Sequence, residues 1–305
     1  MTTLVANQKI VDRDLFDLFI SYLDASPTTV ETYTKSLRQF FNFLNCYSIK
    51  HPGREDILDF RDKLKEKGTK PTTIQNYINA IKIFFKWTSQ EGLYPDIADH
   101  IKGAKIDKDH KKDYLTSRQV KEILNSIDTS TEKGARDYSI LLLMVTGGLR
   151  DIEISRANVK DIRNLGDNTV LYVQGKGKEE KNDYVKLPDN VEKSIRLYLQ
   201  KRTKDENSPL FCSTSNNNRG ERLTTRSISG IVKSRLRNVG YDSSRLTAHS
   251  LRHTAITLSL LAGRSLDEVQ QFARHSNIST TMIYNHALDK SKNGCSDAIS
   301  KSIFE

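Results

Sequence analysis

Apolar residues recur at helical spacing through the first hundred positions of the chain. Tyr33, Leu37, Phe40, Phe41 and Leu44 follow i, i+4, i+7 intervals, as do Ile74, Ile78, Ile81 and Phe85. Each series lines one face of a helix, and both helices open with the same phrase. Pro27-Thr28-Thr29-Val30 leads to Tyr33, and Pro71-Thr72-Thr73-Ile74 leads to Tyr77. Proline suits a first helical position because its missing N–H would have no partner there. Ser26 is placed to cap the first of these helices. Shorter amphipathic stretches predict helices over 12–24 and 54–67, the latter closed by Gly68. The expectation is a four-helix N-terminal unit.

The pattern breaks at residues 102–113, where lysines and aspartates alternate around one sizeable apolar residue, Ile106. Such a stretch has no face to bury and reads as an exposed linker. The predicted organisation is a unit over 1–102, a linker over 103–113 and a second unit over 114–305. In the second unit, periodicity predicts helices at 117–127, 134–146, 151–157, 189–202, 225–238, 247–262 and 266–274. Between them Thr169–Val173 and Asp183–Leu187 alternate like strands of a hairpin. The fold class expected is mainly α: a four-helix unit, then a helical domain with a small antiparallel sheet.

Composition narrows the function classes. Charged residues make up 28% of the chain, near the globular norm, so wholesale disorder is excluded. The longest apolar run, Ile140 to Val145, is far below the ~18 residues that span a bilayer, so no membrane association is expected. No secretion signal is visible at the N-terminus. Cys46, Cys212 and Cys295 lie far apart without a CxxC pair, which suits a reducing cytosol and predicts neither disulfides nor structural zinc. A net charge of +10 makes a polyanion the first partner to consider, with a merely soluble basic protein as the alternative. The excess is uneven: residues 1–113 carry +2 and residues 114–305 carry +8.

Four segments of the second unit carry residues suited to phosphate chemistry. In Thr146-Gly147-Gly148-Leu149-Arg150-Asp151-Ile152-Glu153, a glycine pair ends one helix and Arg150 opens the next. Arginine is disfavoured at a helix N-terminus, so it points to an anion held there, or else to an ion pair with Glu153 or Asp151. Lys176 sits between Gly175 and Gly177 at the hairpin turn. His249 and Arg252 are three apart and share a helical face. His253 lies four residues from His249, but no cysteine or carboxylate at matching spacing completes a metal site, and it reads as a packed structural histidine. Finally His275 precedes a turn, and a short helix leads to Tyr284.

The ordered phrases TGGLRDIEI, GKGKEEKNDYVKLP, HSLRHTAIT and HSNISTTMIYNH resemble the tyrosine recombinase (phage integrase) family, in its simple Xer-like form. The resemblance spans the second unit, and the four-helix unit resembles the family's SAM-like core-binding domain. It implies site-specific DNA strand cleavage and rejoining through a 3′-phosphotyrosyl intermediate, with no cofactor and no metal. Tyr284 would be the nucleophile, and Arg150 and Arg252 would clamp the scissile phosphate. Lys176 would protonate the departing 5′-oxygen, although Lys178 and Lys181 share its turn. His249 would take the tyrosyl proton or bond the phosphate, His275 would bond the phosphate, and Glu153 would orient its neighbours.

Thr28, Thr29, Thr72 and Thr73 are candidate DNA contacts at two helix N-termini, or simply convenient helix starts. The implied partner is double-stranded DNA with inverted repeats, bound by a homotetramer that is monomeric or dimeric when free, in the cytoplasm. Ala298, Ile299, Ser302, Ile303 and Phe304 form a short apolar face; in the family such a C-terminal helix docks on a neighbouring protomer. Two positions depart from the usual pattern: Gly148 replaces a frequently larger residue, and Arg274 stands where glycine is usual. Arg274 reads either as a phosphate contact or as a surface charge. The competing functions are a topoisomerase of shared chemistry and a DNA-binding regulator on a degenerate scaffold.

Overall fold

The computed structural model describes residues 10–106, 113–175, 177–202, 205–291 and 294–304. It divides into two compact units, Met1–Lys108 and Asp109–Glu305.

The first unit contains α1 (Arg13–Tyr22), α2 (Pro27–Cys46), α3 (Arg54–Glu66) and α4 (Pro71–Gln90). Both predicted starts are real: Pro27 and Pro71 are first helical residues, and the Ser26 side chain accepts from the Thr29 N–H. The apolar stripes interlock as an aromatic core. Phe84 takes the edges of Phe19 and Phe41 at centroid distances of 5.3 and 5.4 Å, and Phe40 meets Phe60 at 5.3 Å. These edge-to-face pairs bring the positive ring rim to a negative face and add to plain area burial.

The second unit is built on α6 (Glu132–Gly147), whose stretch Ile140–Met144 is wholly buried. It packs between α8 (Asp189–Gln200) and α10 (Ala248–Leu261), with α5 (Ser117–Asn125) alongside. The Ser139 hydroxyl donates to the Ser194 carbonyl of α8 at 2.9 Å, so the interface is satisfied in polar as well as apolar terms. A buried ion group closes the N-terminal end of α6. Asp137 accepts from Arg136 on one oxygen and from Arg235, on α9 (Thr225–Asn238), on the other, each at 2.6 Å.

After α7 (Asp151–Arg156) a three-stranded antiparallel sheet runs in the order β1 (Ile162–Leu165), β2 (Asn168–Val173), β3 (Asp183–Lys186). Leu171 is opposite Ile162 on one side and Val185 on the other, so its buried face continues across the sheet. Strand β1 was not expected; with one half-buried and three exposed residues it has no alternation to read. Beyond α10 follow α11 (Leu266–Ala273), α12 (Ser279–Ser291) and α13 (Cys295–Phe304), and the described side chains of α13 bury nothing. Among the described residues no helix is long and apolar enough to cross a membrane.

Candidate functional site

The turn between α6 and α7 supplies the first two members. Helix α6 ends on Gly148 in the left-handed conformation (φ 58°), where a Cβ would also stand 3.0 Å from the Phe272 ring. That double restriction explains the small residue at this position. Leu149 is buried, which anchors the turn, and Arg150 becomes the N-cap of α7. Glu153 then performs the capping: one carboxylate oxygen accepts from the Arg150 N–H at 2.8 Å and the other from the Arg150 guanidinium at 3.0 Å. The carboxylate is wholly buried, whereas the Arg150 side chain stays 27% exposed.

Helix α10 and the α11–α12 turn supply the rest. His249 lies in the first turn of α10 and is exposed, while Arg252, one turn later, is only 1% exposed. The Arg252 guanidinium donates to the Gly148 carbonyl with one nitrogen and to the Ala273 carbonyl with another, tying the α6–α7 turn to the end of α11. Helix α11 ends on Arg274 in the left-handed conformation. His275 follows, its Nδ1 2.9 Å from the hydroxyl of the buried Thr281, and Asn277 receives the Ser279 N–H at the start of α12. One turn past Thr281, Tyr284 is 6% exposed, its ring 5.0 Å from that of His253 and 6.4 Å from that of His275.

The electrostatics of this cluster are those of an anion site. Arg150, Arg252 and Arg274 surround the single carboxylate of Glu153, so two positive charges remain uncompensated. Burial, then the charges of Arg150 and Arg274, pulls Arg252 down to about 9, and it remains a cation at neutral pH. Burial, then Arg252, Arg150, Arg274 and His249, pushes His275 down to about 4. The Tyr284 phenol is pushed up to about 12 by burial, against the pull of Arg252 and Arg150. A phenol protonated throughout the physiological range attacks only if its proton is taken as it does so.

Arg150, Glu153, Arg252, His275 and Tyr284 are therefore brought together, with His249 joined through its ring contact to His253 at 4.5 Å. His253 was read as structural, and it is buried, but its place against Tyr284 makes it part of the site wall. Lys176 lies outside the described residues. Its turn neighbours are both paired: Lys178 with Asp183 at 2.7 Å, and Lys181 with the nearly buried Asp161. Thr28, Thr29 and Thr72 are exposed and Thr73 half-buried, all on the first unit. Thr29 also contacts the Ser26 hydroxyl, as a helix start requires. No group of three His, Cys, Asp or Glu side chains able to hold a metal occurs among the described residues.

Two members were not foreseen. Thr281 had no sequence signal beyond its place in the helix. Arg274 was visible as a departure from glycine, but it is neither a surface charge nor a free phosphate ligand: it is buried against Glu153.

Known proteins give the same picture. Residues 113–291 match the phage integrase family, and residues 13–94 match the phage integrase N-terminal SAM-like domain. The tyrosine recombinase XerA of Pyrococcus horikoshii is 32% identical over 286 residues, covering 93% of this chain and 92% of that protein. XerC of Bacillus subtilis is 28% identical over 290 residues, covering 90% and 92%. The fold is shared with the XerH site-specific recombinase in a post-cleavage complex with its palindromic difH substrate. That likeness has a TM-score of 0.74 at 20% identity and covers 97% of this chain and 91% of that one. A lambda integrase dimer bound to a core site gives 0.71 at 16% identity, covering 89% and 97%. With the family matched over most of its length, the chain belongs to the phage integrase family and is a Xer-like tyrosine recombinase, an enzyme of site-specific DNA strand cleavage and rejoining.

Proposed function

We propose that this enzyme acts on double-stranded sites with inverted repeats, as a homotetramer assembled on DNA from monomers or dimers. It would work in the cytoplasm, in integration, excision or inversion of a mobile element or in dimer resolution. The observation that carries the catalytic assignment is the convergence of Arg150, Arg252, Glu153, His275 and Tyr284 on one cationic pocket. Arg150 and Arg252 hold the non-bridging oxygens of the scissile phosphate, where charge builds as the fifth oxygen arrives, in the manner of an oxyanion hole. The Tyr284 oxygen attacks phosphorus, His249 receives its proton, and the bond to the 5′-oxygen breaks. Lys176 protonates that leaving oxygen; the engagement of Lys178 and Lys181 by carboxylates supports Lys176 in this role. The His275 Nδ1 lies 2.9 Å from the Thr281 hydroxyl; where that hydroxyl donates, the neutral ring carries its proton on Nε2 and offers it to the phosphate. Reversal with a partner strand's 5′-hydroxyl rejoins the DNA, so the phosphodiester energy is conserved without a cofactor.

The test is a duplex carrying the inverted repeats found beside the coding region, nicked so that cleavage is trapped. A 3′-linked adduct that peptide mapping places on Tyr284 is expected. An adduct on another residue overturns the assignment, and relaxation of a two-site plasmid without recombinant junctions favours the topoisomerase reading.

The pocket also predicts a spectroscopic response. Burial and then the arginine charges hold His275 near 4, and a phosphate among the arginines offsets the second of these. Its imidazole should then titrate higher in the DNA complex than in the free protein, as followed by NMR of the ring C–H. An unchanged or lower midpoint would place the phosphate elsewhere.

Helix α13 supports the assembly. Ile299, Ile303 and Phe304 are exposed, and burying each on a neighbouring protomer would contribute about 1.5–3 kcal/mol. Deleting residues 292–305 is expected to leave single-protomer binding intact and to lower junction formation about tenfold or more, since ~1.4 kcal/mol of lost docking is already tenfold. Gel-shift titration and a two-site recombination assay check the pair of outcomes. Equal recombination by the truncated protein refutes it.

A further inference from the structure

We propose that Arg274 is a positioning residue for strand cleavage: it locks Glu153 in place so that Glu153, in turn, holds Arg150 against the scissile phosphate. The inference rests on the phosphate-clamp role given to Arg150 above. Arg274 occupies the C-cap of α11 at φ 52° and ψ 46°, a conformation that penalises any residue with a Cβ and that glycine adopts freely. A bulky cation kept there must do something glycine would not.

Its side chain shows what. Only 7% exposed, it reaches back 121 residues to the α6–α7 turn and pairs with both carboxylate oxygens of Glu153, at 2.9 and 3.4 Å. The remaining donors go to carbonyls: Phe272 at 2.8 Å, Gly148 at 3.2 Å and Gly147 at 3.4 Å. All three guanidinium nitrogens are thus engaged by the protein, which leaves none aimed at a phosphate. The Arg274 carbonyl meanwhile lies 3.5 Å from the Arg150 guanidinium. Arg150 is therefore gripped twice, by Glu153 and by the backbone of the residue that grips Glu153.

Charge explains why a second arginine is needed. Glu153 is wholly buried, and burial favours its neutral form. Arg274 is the largest influence opposing this, ahead of Arg150, and the carboxyl is held below its ordinary value. A protonated Glu153 would lose the ion pair that aims Arg150. The charges acting on this carboxyl are Arg150 on its own turn, Arg252 on α10 and Arg274 at the end of α11; all three act in turn on His275, and the first two on Tyr284. His275 near 4 and Tyr284 near 12 both keep their neutral forms between pH 6 and 9. Loss of Arg274 should be felt in that window first through Glu153, its direct ion-pair partner, and the Glu153→Gln background separates this from any accompanying change at His275.

The test is the single-turnover rate of adduct formation on a nicked duplex between pH 6 and 9. It compares the full-length protein with Arg274→Gly, Arg274→Lys, Glu153→Gln and the Gly/Gln double variant. Glycine relieves the left-handed backbone, so Arg274→Gly should match the parent in circular dichroism and DNA binding. It should cleave about 10- to 100-fold more slowly, the usual consequence of removing a group that orients a primary ligand, with the deficit widening toward pH 6. Lysine, which restores the charge but not the carbonyl bonds, should recover part of the rate and a pH profile parallel to the parent's. The double variant should be no slower than Glu153→Gln, because Arg274 acts through that carboxylate. A pH profile for Arg274→Gly parallel to the parent's, or losses that multiply in the double variant, overturns the proposal. Absence of any Tyr284 adduct in the parent would instead refute the catalytic assignment itself, so the two failures are distinguishable.

Discussion

Replacing Tyr284 with phenylalanine is expected to abolish the covalent protein–DNA adduct while leaving the fold and DNA binding unchanged. Only the hydroxyl is lost; the ring keeps its places beside His253 and His275 in a position that is 6% exposed. Because burial pushes the phenol to about 12, no reserve of phenolate exists, and attack depends wholly on the proton being taken in the transition state. Removing a covalent nucleophile has cost about 10⁶-fold in turnover where it has been measured, which places residual cleavage below detection. Denaturing electrophoresis of the protein with a nicked duplex reads the adduct directly. A surviving adduct at parental yield would show that another side chain attacks.

Arg252→Lys is the second large effect, and it should strike activity and stability together. One guanidinium currently reaches the carbonyls of Gly148 and Ala273 from a site 1% exposed to solvent. An ammonium is a point charge and does not reproduce that planar fork. The Gly148 carbonyl keeps a second donor in Arg274, so the group at risk is the Ala273 carbonyl, at about 1–3 kcal/mol if it is left orphaned. For a unit of this size that lowers the Tm by roughly 2–4 °C per kcal/mol. Cleavage should fall further, by ~10²–10³, the scale of deleting one donor to a transition-state oxyanion. Thermal melts and single-turnover cleavage check the two arms. A variant with normal melting and parental cleavage would remove Arg252 from both roles.

The physical reason for this coupling is that the site has no separate scaffold. Gly148, Arg252, Ala273 and Arg274 hold two turns together, and the same guanidiniums supply positive charge to the proposed phosphate pocket. A pocket held in this way is preorganised and would require little rearrangement as charge developed on a bound phosphate.

Much of the fold was legible in the chain. The apolar spacing of α2 and α4, their proline starts and the Ser26 cap are local features, decided by residues within a turn or two of each other. The β2–β3 hairpin was legible for the same reason. Strand β1 was not, because three of its four residues are exposed and its pairing with β2 is made by backbone groups that leave no alternation. Of the candidate site, the family resemblance named Arg150, Lys176, His249, Arg252, His275, Tyr284 and Glu153, and Lys176 lies outside the described residues.

By itself, then, the amino-acid order determined the helices, the hairpin, the basic balance and the identity of the principal polar groups, since each depends on residue type and near-neighbour spacing. Only the tertiary structure decided their partners. Arg274 meets Glu153 across 121 residues, Lys181 meets Asp161 across 20, and Tyr284 lies under His253 from the next helix but one. Ion pairs and ring contacts of this kind leave no periodic trace, because they are set by where two turns meet in space. That meeting turned an arginine in a glycine's place from a departure in the motif into a member of the site.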